Sequence, residues 1–563
     1  MMPWGNRIRS LLVAAVACLA VAPAQLRAQE TPAAPAVPAG EPVLVVSIAS
    51  VDRMIQDVNY VSGAVGQAQG GGIFAMMAAN FTNGLDRSRP IGLYLAAPFG
   101  ERAAVLFLPT SNVKQFLKTL EPQLGPADEF DDGTLAIAAG TNVLYIRQQG
   151  NWAYAAQTRE ALQGLPNDPL PWLQDMGDDY NIGVRVNVQA FTPEQRQMFL
   201  DQLRQGFDQA IAQQPAEQAD QIRQMGESSL EQLEMVINDT EILQLGFAIE
   251  PQERQLRLEL LTTAAPGTKL ARMYAAQQPI PSKFASVIQP DAAAYFHGAG
   301  AIGRDAIEQT RMSMQQVTGS IRAMLENEEN LSAADRQELE AFFERLIEIA
   351  VETIGEGKSD GGALLTLEND RLNAVAGFFV SDGAKVAQLV KDLAAKVQDE
   401  PEAPKFTFDA GNYKDVTLHY VDAAVPEDKP EARQIFGETL RLTIGTAPDA
   451  VYLALGQQSE PMLRNLIDQA ASDAGGERPL SQGKVSLLPI LQFAQAVKPN
   501  DQLAAIIDKV ARAGETANIR FVTESIERGS KFELTIGEGI LRAIGAAIEA
   551  NQQRAVGQVQ PAE

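Results

Sequence analysis

The chain has 563 residues, 45% of them hydrophobic, with 46 Lys+Arg against 71 Asp+Glu, a formal charge of −25, two His and one Cys. This length predicts roughly three or four domains with cores of their own, and the acidity argues against nucleic acid and anionic membrane surfaces, which are held through Lys/Arg clusters. So few His and Cys residues exclude a zinc-finger array, a multi-haem protein and a disulfide scaffold.

Residues 1–28 read as an export signal. Arg7 and Arg9 form a positive start and Leu11 to Val21 an apolar run of eleven residues, shorter than the roughly 20 that span a bilayer. Cleavage after Ala28, in Leu26-Arg27-Ala28, is preferred to cleavage after Ala24, where proline occupies the middle position. Ala15-Val16-Ala17-Cys18 loosely resembles a lipoprotein cleavage box. However, the expected Leu is missing and apolar residues continue past Cys18, so the cysteine reads as part of the signal. Removing Arg7, Arg9 and Arg27 with no acid takes the charge to −28 and leaves no thiol. A periplasmic or extracellular location is expected, with no transmembrane segment in the mature chain.

Residues 29–41 are rich in Ala and Pro and read as an extended spacer. From there the chain reads as one unit written twice, residues 42–275 and 284–550, joined by a linker at 276–283 that contains Pro279 and Pro281. Val43–Ile48 begins the first half. Alternating Ile91–Leu95 and Ala103–Leu108 flank a polar turn and lead into a helix from Ser111, as Ala363–Leu367 and Ala374–Val380 lead into a helix from Ala384. Phe107 then matches Phe378. Phe130-Asp-Asp-Gly and Phe408-Asp-Ala-Gly each open a hairpin. Trp152–Ala156 with a helix from Thr158 matches Val451–Leu455 with a helix from Ser459. Asn181–Val188 is a strand, and Thr192-Pro193-Glu194-Gln195 has the pattern of a capped helix start. Leu243–Ile249 with Leu256–Leu261 matches Asn518–Val522 with Lys531–Ile536, and each pair leads into a short apolar helix. Long acidic helices are expected over Pro193–Met235 and Ala306–Ile354, with Ser332–Asp335 opening a further one. Residues 551–563 read as a loose tail. The fold class expected is α+β, each half a largely antiparallel sheet with packed helices.

Three motifs point to chemistry and fail on context. Gly298-Ala-Gly300-Ala-Ile-Gly303 follows the strand Ala292–His297 as in a dinucleotide site, but Ile307–Leu325 continues as helix where a second strand ending in an acid is required, so the glycines read as a flexible turn. Gly357-Lys-Ser359-Asp-Gly361 fits a nucleophile elbow or the end of a phosphate loop. Both need a strand entering and a helix leaving. Here a helix enters and a strand leaves, so glycine reads as a helix terminator. The clusters Glu129/Asp131/Asp132 and Asp175/Asp178/Asp179 lack the spacing of a calcium loop and read as solvated turn acids. Neither His297 nor His419 has a metal-ligand partner at helical or hairpin spacing, and each reads as a surface or sheet-face residue.

The strand, helix and hairpin segments behind a signal, with Trp152-Ala-Tyr-Ala-Ala and the elements matched above, resemble large uncharacterised exported bacterial proteins grouped as a domain of unknown function. The resemblance spans most of 42–550 and carries over no functional residue. The function expected is that of an exported, non-enzymatic binding or envelope-associated protein, with no catalytic, cofactor-binding or metal residues and no cofactor. Its partner is an unknown protein or an apolar ligand. A periplasmic carrier of apolar ligands is one version, and an exported hydrolase working through carboxylates or a metal is the rival. Carboxylates converging in a deep cleft of one half alone would favour the hydrolase.

Overall fold

The structure is a computed structural model describing residues 42–95, 104–139, 142–212, 230, 233–326, 333–397, 404–470 and 478–557. The signal and spacer, Cys18 and Ser332 lie outside the described residues. The described chain is antiparallel sheet with packed helices, and by internal contacts it divides into two units: Met1–Arg196 with Glu241–Leu260, and Gln197–Thr240 with Leu261–Glu563.

In the first unit the strands are β1 (Leu44–Ile48), β2 (Ile91–Leu95), β3 (Ala104–Pro109), β4 (Asp128–Glu129), β5 (Leu135–Ala139), β6 (Asn142–Gln149), β7 (Trp152–Ala156), β8 (Ile182–Asn187), β9 (Thr240–Glu250) and the start of β10 (Gln255–Ala264). They pair in the order β4-β5-β6-β7-β3-β2-β1-β8-β9-β10. Helices α1 (Val51–Ala64), α2 (Ala68–Phe81) and α3 (Val113–Leu124) are joined by the short α4 (Leu170–Leu173) and α5 (Met176–Asp179). Strand alternation divides the residues between two faces. One face packs Val45, Phe107, Tyr154, Leu162 and Met176 into a core. The other packs Leu106, Leu135, Ile146 and Ala155 against Val113, Phe116 and Leu117 of α3.

The second unit holds most of α6 (Pro193–Ala212), then α7 (Lys269–Ala276), β11 (Ala294–Ala301), α8 (Arg304–Glu326), α9 (Ala333–Gly355), β12 (Lys358–Glu368), β13 (Arg371–Phe379), α10 (Gly383–Val397), β14 (Lys405–Tyr413) and β15 (Val416–Ala424). It continues through α11 (Pro430–Phe436), β16 (Thr439–Ala447), β17 (Ala450–Leu455), α12 (Ser459–Ala470), β18 (Ser481–Ser486), α13 (Leu487–Val497), α14 (Asp501–Ala511), β19 (Asn518–Ile526), β20 (Gly529–Gly537) and α15 (Glu538–Gly557). Its strands pair in the order β14-β15-β16-β17-β13-β12-β11-β18-β19-β20.

The capped start of α6 forms as the sequence reads. The Gln195 amide donates to Thr192 Oγ1 (3.3 Å) and the Thr192 amide donates to Gln195 Oε1 (2.9 Å). Several expectations change. The helical stretch expected over Ala306–Ile354, with a further helix opening at Ser332–Asp335, forms two helices, α8 and α9, packed on each other with Arg322 donating to Glu340 and Glu344. Gly298 and Gly300 are not a turn: both lie inside β11, Gly298 paired with Gly361 of β12 and Ser481 of β18, Gly300 with Ser359 of β12 and bridged to Pro279, and only Gly303 precedes the helix. Phe408-Asp-Ala-Gly belongs to a hairpin, β14–β15, but lies within its first strand rather than at its turn. It forms a bulge in β14, with Asp409 at φ 50, and the chain turns at Lys414. Helix α15 runs on to Gly557 through much of the expected tail.

Phe107 does not correspond to Phe378. Phe107 lies opposite Gly92 and Tyr154, whereas the residue opposite Gly362 and Tyr452 is Gly377. Phe378 faces the other way and is 40% exposed, against 0% for Phe107. The Phe107 ring lies over Gly92; over Gly362, which stands opposite Gly377, lies Val287, while Phe284 covers Gly377 itself and meets Tyr452 edge-on at 5.8 Å.

Candidate functional site

Two features of the second unit bear on chemistry. The first is a buried polar cluster on the core-facing side of β11 and β12. His297 is fully buried, with Nε2 2.9 Å from Ser282 Oγ. Ser282 Oγ donates to Asp360 Oδ1 (2.6 Å), and the Lys283 amide donates to Asp360 Oδ2 (2.8 Å). A Ser-His-Asp triad places histidine between acid and serine so that imidazole can take the serine proton. Here serine is in the middle. Its single proton, donated to Asp360, is therefore not the one His297 would have to take from it in a triad.

Burial raises the Asp360 carboxyl above its ordinary value, against the opposing bonds from Ser282 and Lys283. The folded chain therefore holds this proton more tightly than the unfolded one. The stability Asp360 contributes is full below its ordinary value of 3.8 and is lost as pH rises through the raised value. Asp360→Asn stays neutral throughout. In thermal melts at pH values rising from 3.8, the native chain is expected to lose stability relative to this variant as pH rises. Equal slopes in the two proteins would count against the assignment.

His419 is the counterpart of this arrangement on β15. It is 2% exposed, takes the Asp409 amide on Nδ1 (3.1 Å) and lies 3.1 Å from Thr446 Oγ1 through Nε2. It thereby fixes the β14 bulge, and burial holds its imidazole below the ordinary value. Both histidines are sheet-face residues as expected, but neither is at the surface. Among the acidic clusters, Asp132 pairs with Arg159 (2.7 Å) and accepts the Thr134 amide, which hold it down at about 2, while Glu129 pairs with Lys114 (2.7 Å). The Gly357 segment ends α9 at φ 74 and leads into β12, the polarity read from the sequence.

The second feature is a groove of about 560 Å³ over β12 and β13, walled by α12 and the helical turn Ala285–Val287. Val287, Leu364, Val375, Met462 and Leu466 supply its apolar surface. Asn373, buried, accepts the Gln458 amide on Oδ1 (2.8 Å). The turn into α12 needs Gly456, whose φ is 110 and where a Cβ would stand 2.1 Å from the Leu372 carbonyl. Ser286 Oγ is buried on the lining with no partner in the protein. Asp291 and Glu368 line the groove and are both exposed. No motif marks these residues, because they come from three separated segments.

Both units also leave an apolar sheet surface uncovered. In the first, register places Ile182, Val184, Leu243, Leu245 and Phe247 on one face of β8 and β9. Ile182, Leu243 and Leu245, with Leu258 and Leu260 of β10, are 37–45% exposed. Polar groups take the inner face: Arg185 Nε donates to Gln244 Oε1 (2.8 Å), Gln244 Nε2 to Tyr180 OH (3.3 Å) and Tyr180 OH to Glu259, itself bridged to Arg257 (2.9 Å). Burial pushes the Tyr180 phenol up to about 12. In the second unit Phe296, Phe521 and Phe532 stack at 6.2 and 6.3 Å across β11, β19 and β20, with Phe296 and Val485 each 45% exposed.

No group of three or more His, Cys, Asp or Glu among the described residues is placed to hold a metal ion, and no described helix is long and apolar enough to cross a membrane. No family model, curated protein or solved structure matches this chain.

Proposed function

We propose that the chain is an exported, non-enzymatic binding protein of two homologous α+β halves, residues 42–275 and 284–550, that holds an apolar ligand or partner on its sheet faces in the periplasm or outside the cell. The carrying observation is the inverted polarity of β8–β10, where leucines face outward and a bonded Arg/Gln/Tyr/Glu network is buried. A free-standing antiparallel sheet normally does the reverse, and an exposed apolar patch of this kind marks a binding surface.

Homology of the halves is supported by the like strand orders and by matched registers. Ser47 lies opposite Gly92 and Gly183, as His297 lies opposite Gly362 and Gln482. The Ala49 amide donates to the Asn181 carbonyl as the Ala299 amide does to that of Leu480. The Asn187 amide donates to Val43 as the Ser486 amide does to Ala293. Within this frame Leu245 and Phe521 occupy like places, so the open apolar face recurs in both halves.

The hydrolase reading is weakened by the serine-centred geometry around His297 and by the exposure of Asp291 and Glu368, since a carboxylic acid kept protonated for catalysis needs shielding. Native mass spectrometry of protein from its own envelope is expected to show a co-purifying lipid or partner. An anilinonaphthalene dye should bind the purified chain and lose most of its signal in Leu245→Glu/Leu258→Glu, at a stability cost of about 0.5 kcal/mol or less because both side chains are exposed. A chain free of bound species, with dye binding unchanged in that variant, would refute the reading.

A further inference from the structure

We propose that the groove over β12 and β13 binds a small amphiphilic cation, an ammonium group carried on an apolar body. This is independent of the sheet-face reading, because the groove opens on the opposite face of the sheet from Phe296: Leu364 and Val375 share the side of the buried core, and Phe296 lies on the other. Three observations carry it. Leu364, Val375 and Leu466 give the groove an apolar surface, and the only charged groups lining it are the carboxylates of Asp291 and Glu368, with no Lys or Arg among the lining residues. A ligand body desolvated against the leucines and a cation among the carboxylates satisfies both, whereas an anion would meet only like charge. Second, Ser286 is among the lining residues and its Oγ is buried without a protein partner, so a small shift of that side chain would give a polar head group an unsatisfied hydroxyl to bond.

Third, the same place in the other unit is closed. Tyr94 stands opposite Val105 as Leu364 stands opposite Val375. Trp172 packs on Tyr94 at 4.1 Å between ring centroids, with Leu173 buried beside it. Trp172 thus fills in one unit the volume that stands open in the other. About 560 Å³ lies within the roughly 300–1,000 Å³ of small-molecule sites.

The test is isothermal titration of the full chain with n-octylammonium chloride and with sodium octanoate, two probes that share a tail and differ in head charge. Saturable one-to-one binding of octylammonium is expected, with octanoate at least about tenfold weaker and the difference shrinking in high salt. Leu364→Trp, which imitates the closed unit, should abolish octylammonium binding. Glu368→Gln, at an exposed position that tolerates change, should weaken it about three- to tenfold. Equal affinity for the two probes, or octylammonium binding that Glu368→Gln leaves unchanged, overturns the proposal. Neither result touches the sheet-face reading, whose readout is the Leu245→Glu/Leu258→Glu variant.

Discussion

Phe284→Ala is expected to destabilise the second unit by about 3–5 kcal/mol, and Gly377→Phe introduced into the same chain is expected to restore a large part of that loss. Phe284 is fully buried and belongs to the core with Val287, Val375, Tyr452 and Leu466. Its ring lies where a side chain at Gly377 would stand, 2.4 Å from the ideal Cβ position. Gly377→Phe alone should therefore be severely destabilising, because two rings cannot share one volume. Together the changes put a ring on β13 opposite Gly362, as Phe107 stands on β3 opposite Gly92, with Val287, 2.6 Å from the Gly362 Cβ position, having to shift to admit it. A coupling of at least about 2 kcal/mol is expected in the double-mutant cycle. It should be read by hydrogen exchange on β12 and β13, since a chain of two units need not unfold in one transition. Additive effects would mean that the two rings do not occupy equivalent space, and would count against the proposed homology of the halves.

This exchange of rings also explains where sequence periodicity misleads. Alternation in Ile91–Leu95, Ala363–Leu367 and Ala374–Val380 is legible because one face of each strand packs and the other is less covered. Matching Phe107 to Phe378 slips the register by a single residue, and with a side-chain period of two that slip reverses every face. The correct partner, Gly377, shows no aromatic signal because its ring is contributed by Phe284, outside the strand. Gly298 and Gly300 mislead in a related way. Glycines within six residues look like a turn, yet both lie within the strand β11, Gly298 opposite Gly361 and Gly300 opposite Ser359 of β12, with Leu480 packed against both.

The groove was illegible for a different reason. Leu364 and Val375 could be read as strand residues, and Ser459 as a helix start, but nothing in the chain says that Asn373 will meet the Gln458 amide or that Ser286 will face the same space. Pocket residues are brought together by topology, and the pairing of β13 with β17 across α10, β14, β15, α11 and β16 is a long-range fact. His297 was similarly hidden. Its alternation marks a sheet face, whereas its complete burial comes with β12 and β18 on either side and Ser282 against its ring, none of which is local in sequence.

Asn181→Leu is expected to cost the first unit about 3 kcal/mol, and Asp57→Leu in the same chain is expected to recover most of it. Asn181 is fully buried and its four polar groups are all engaged. Its amide donates to the Phe247 carbonyl (2.8 Å) and its carbonyl accepts from Ala49 (2.9 Å). Side-chain Oδ1 accepts the Ile249 amide (2.6 Å) and Nδ2 donates to Asp57 Oδ2 (2.7 Å). Leucine keeps the two backbone bonds, as Leu480 keeps its bond from Ala299 at the matching register of the second unit. It removes both side-chain bonds, leaving a buried amide and a carboxylate only 4% exposed whose remaining contact is Arg53 at 3.5 Å. Each unsatisfied group costs about 1–3 kcal/mol, the charged one more. Replacing Asp57 as well takes the charge out of the interior, so what remains is the unpaired Ile249 amide. Exchange rates on β1, β8 and β9 should fall in the order native, double variant, Asn181→Leu, from slowest to fastest. If the double variant exchanges as fast as Asn181→Leu, the loss comes from packing or from the Ile249 amide, and the buried Asp57 carboxylate is not what Asn181 is there to satisfy.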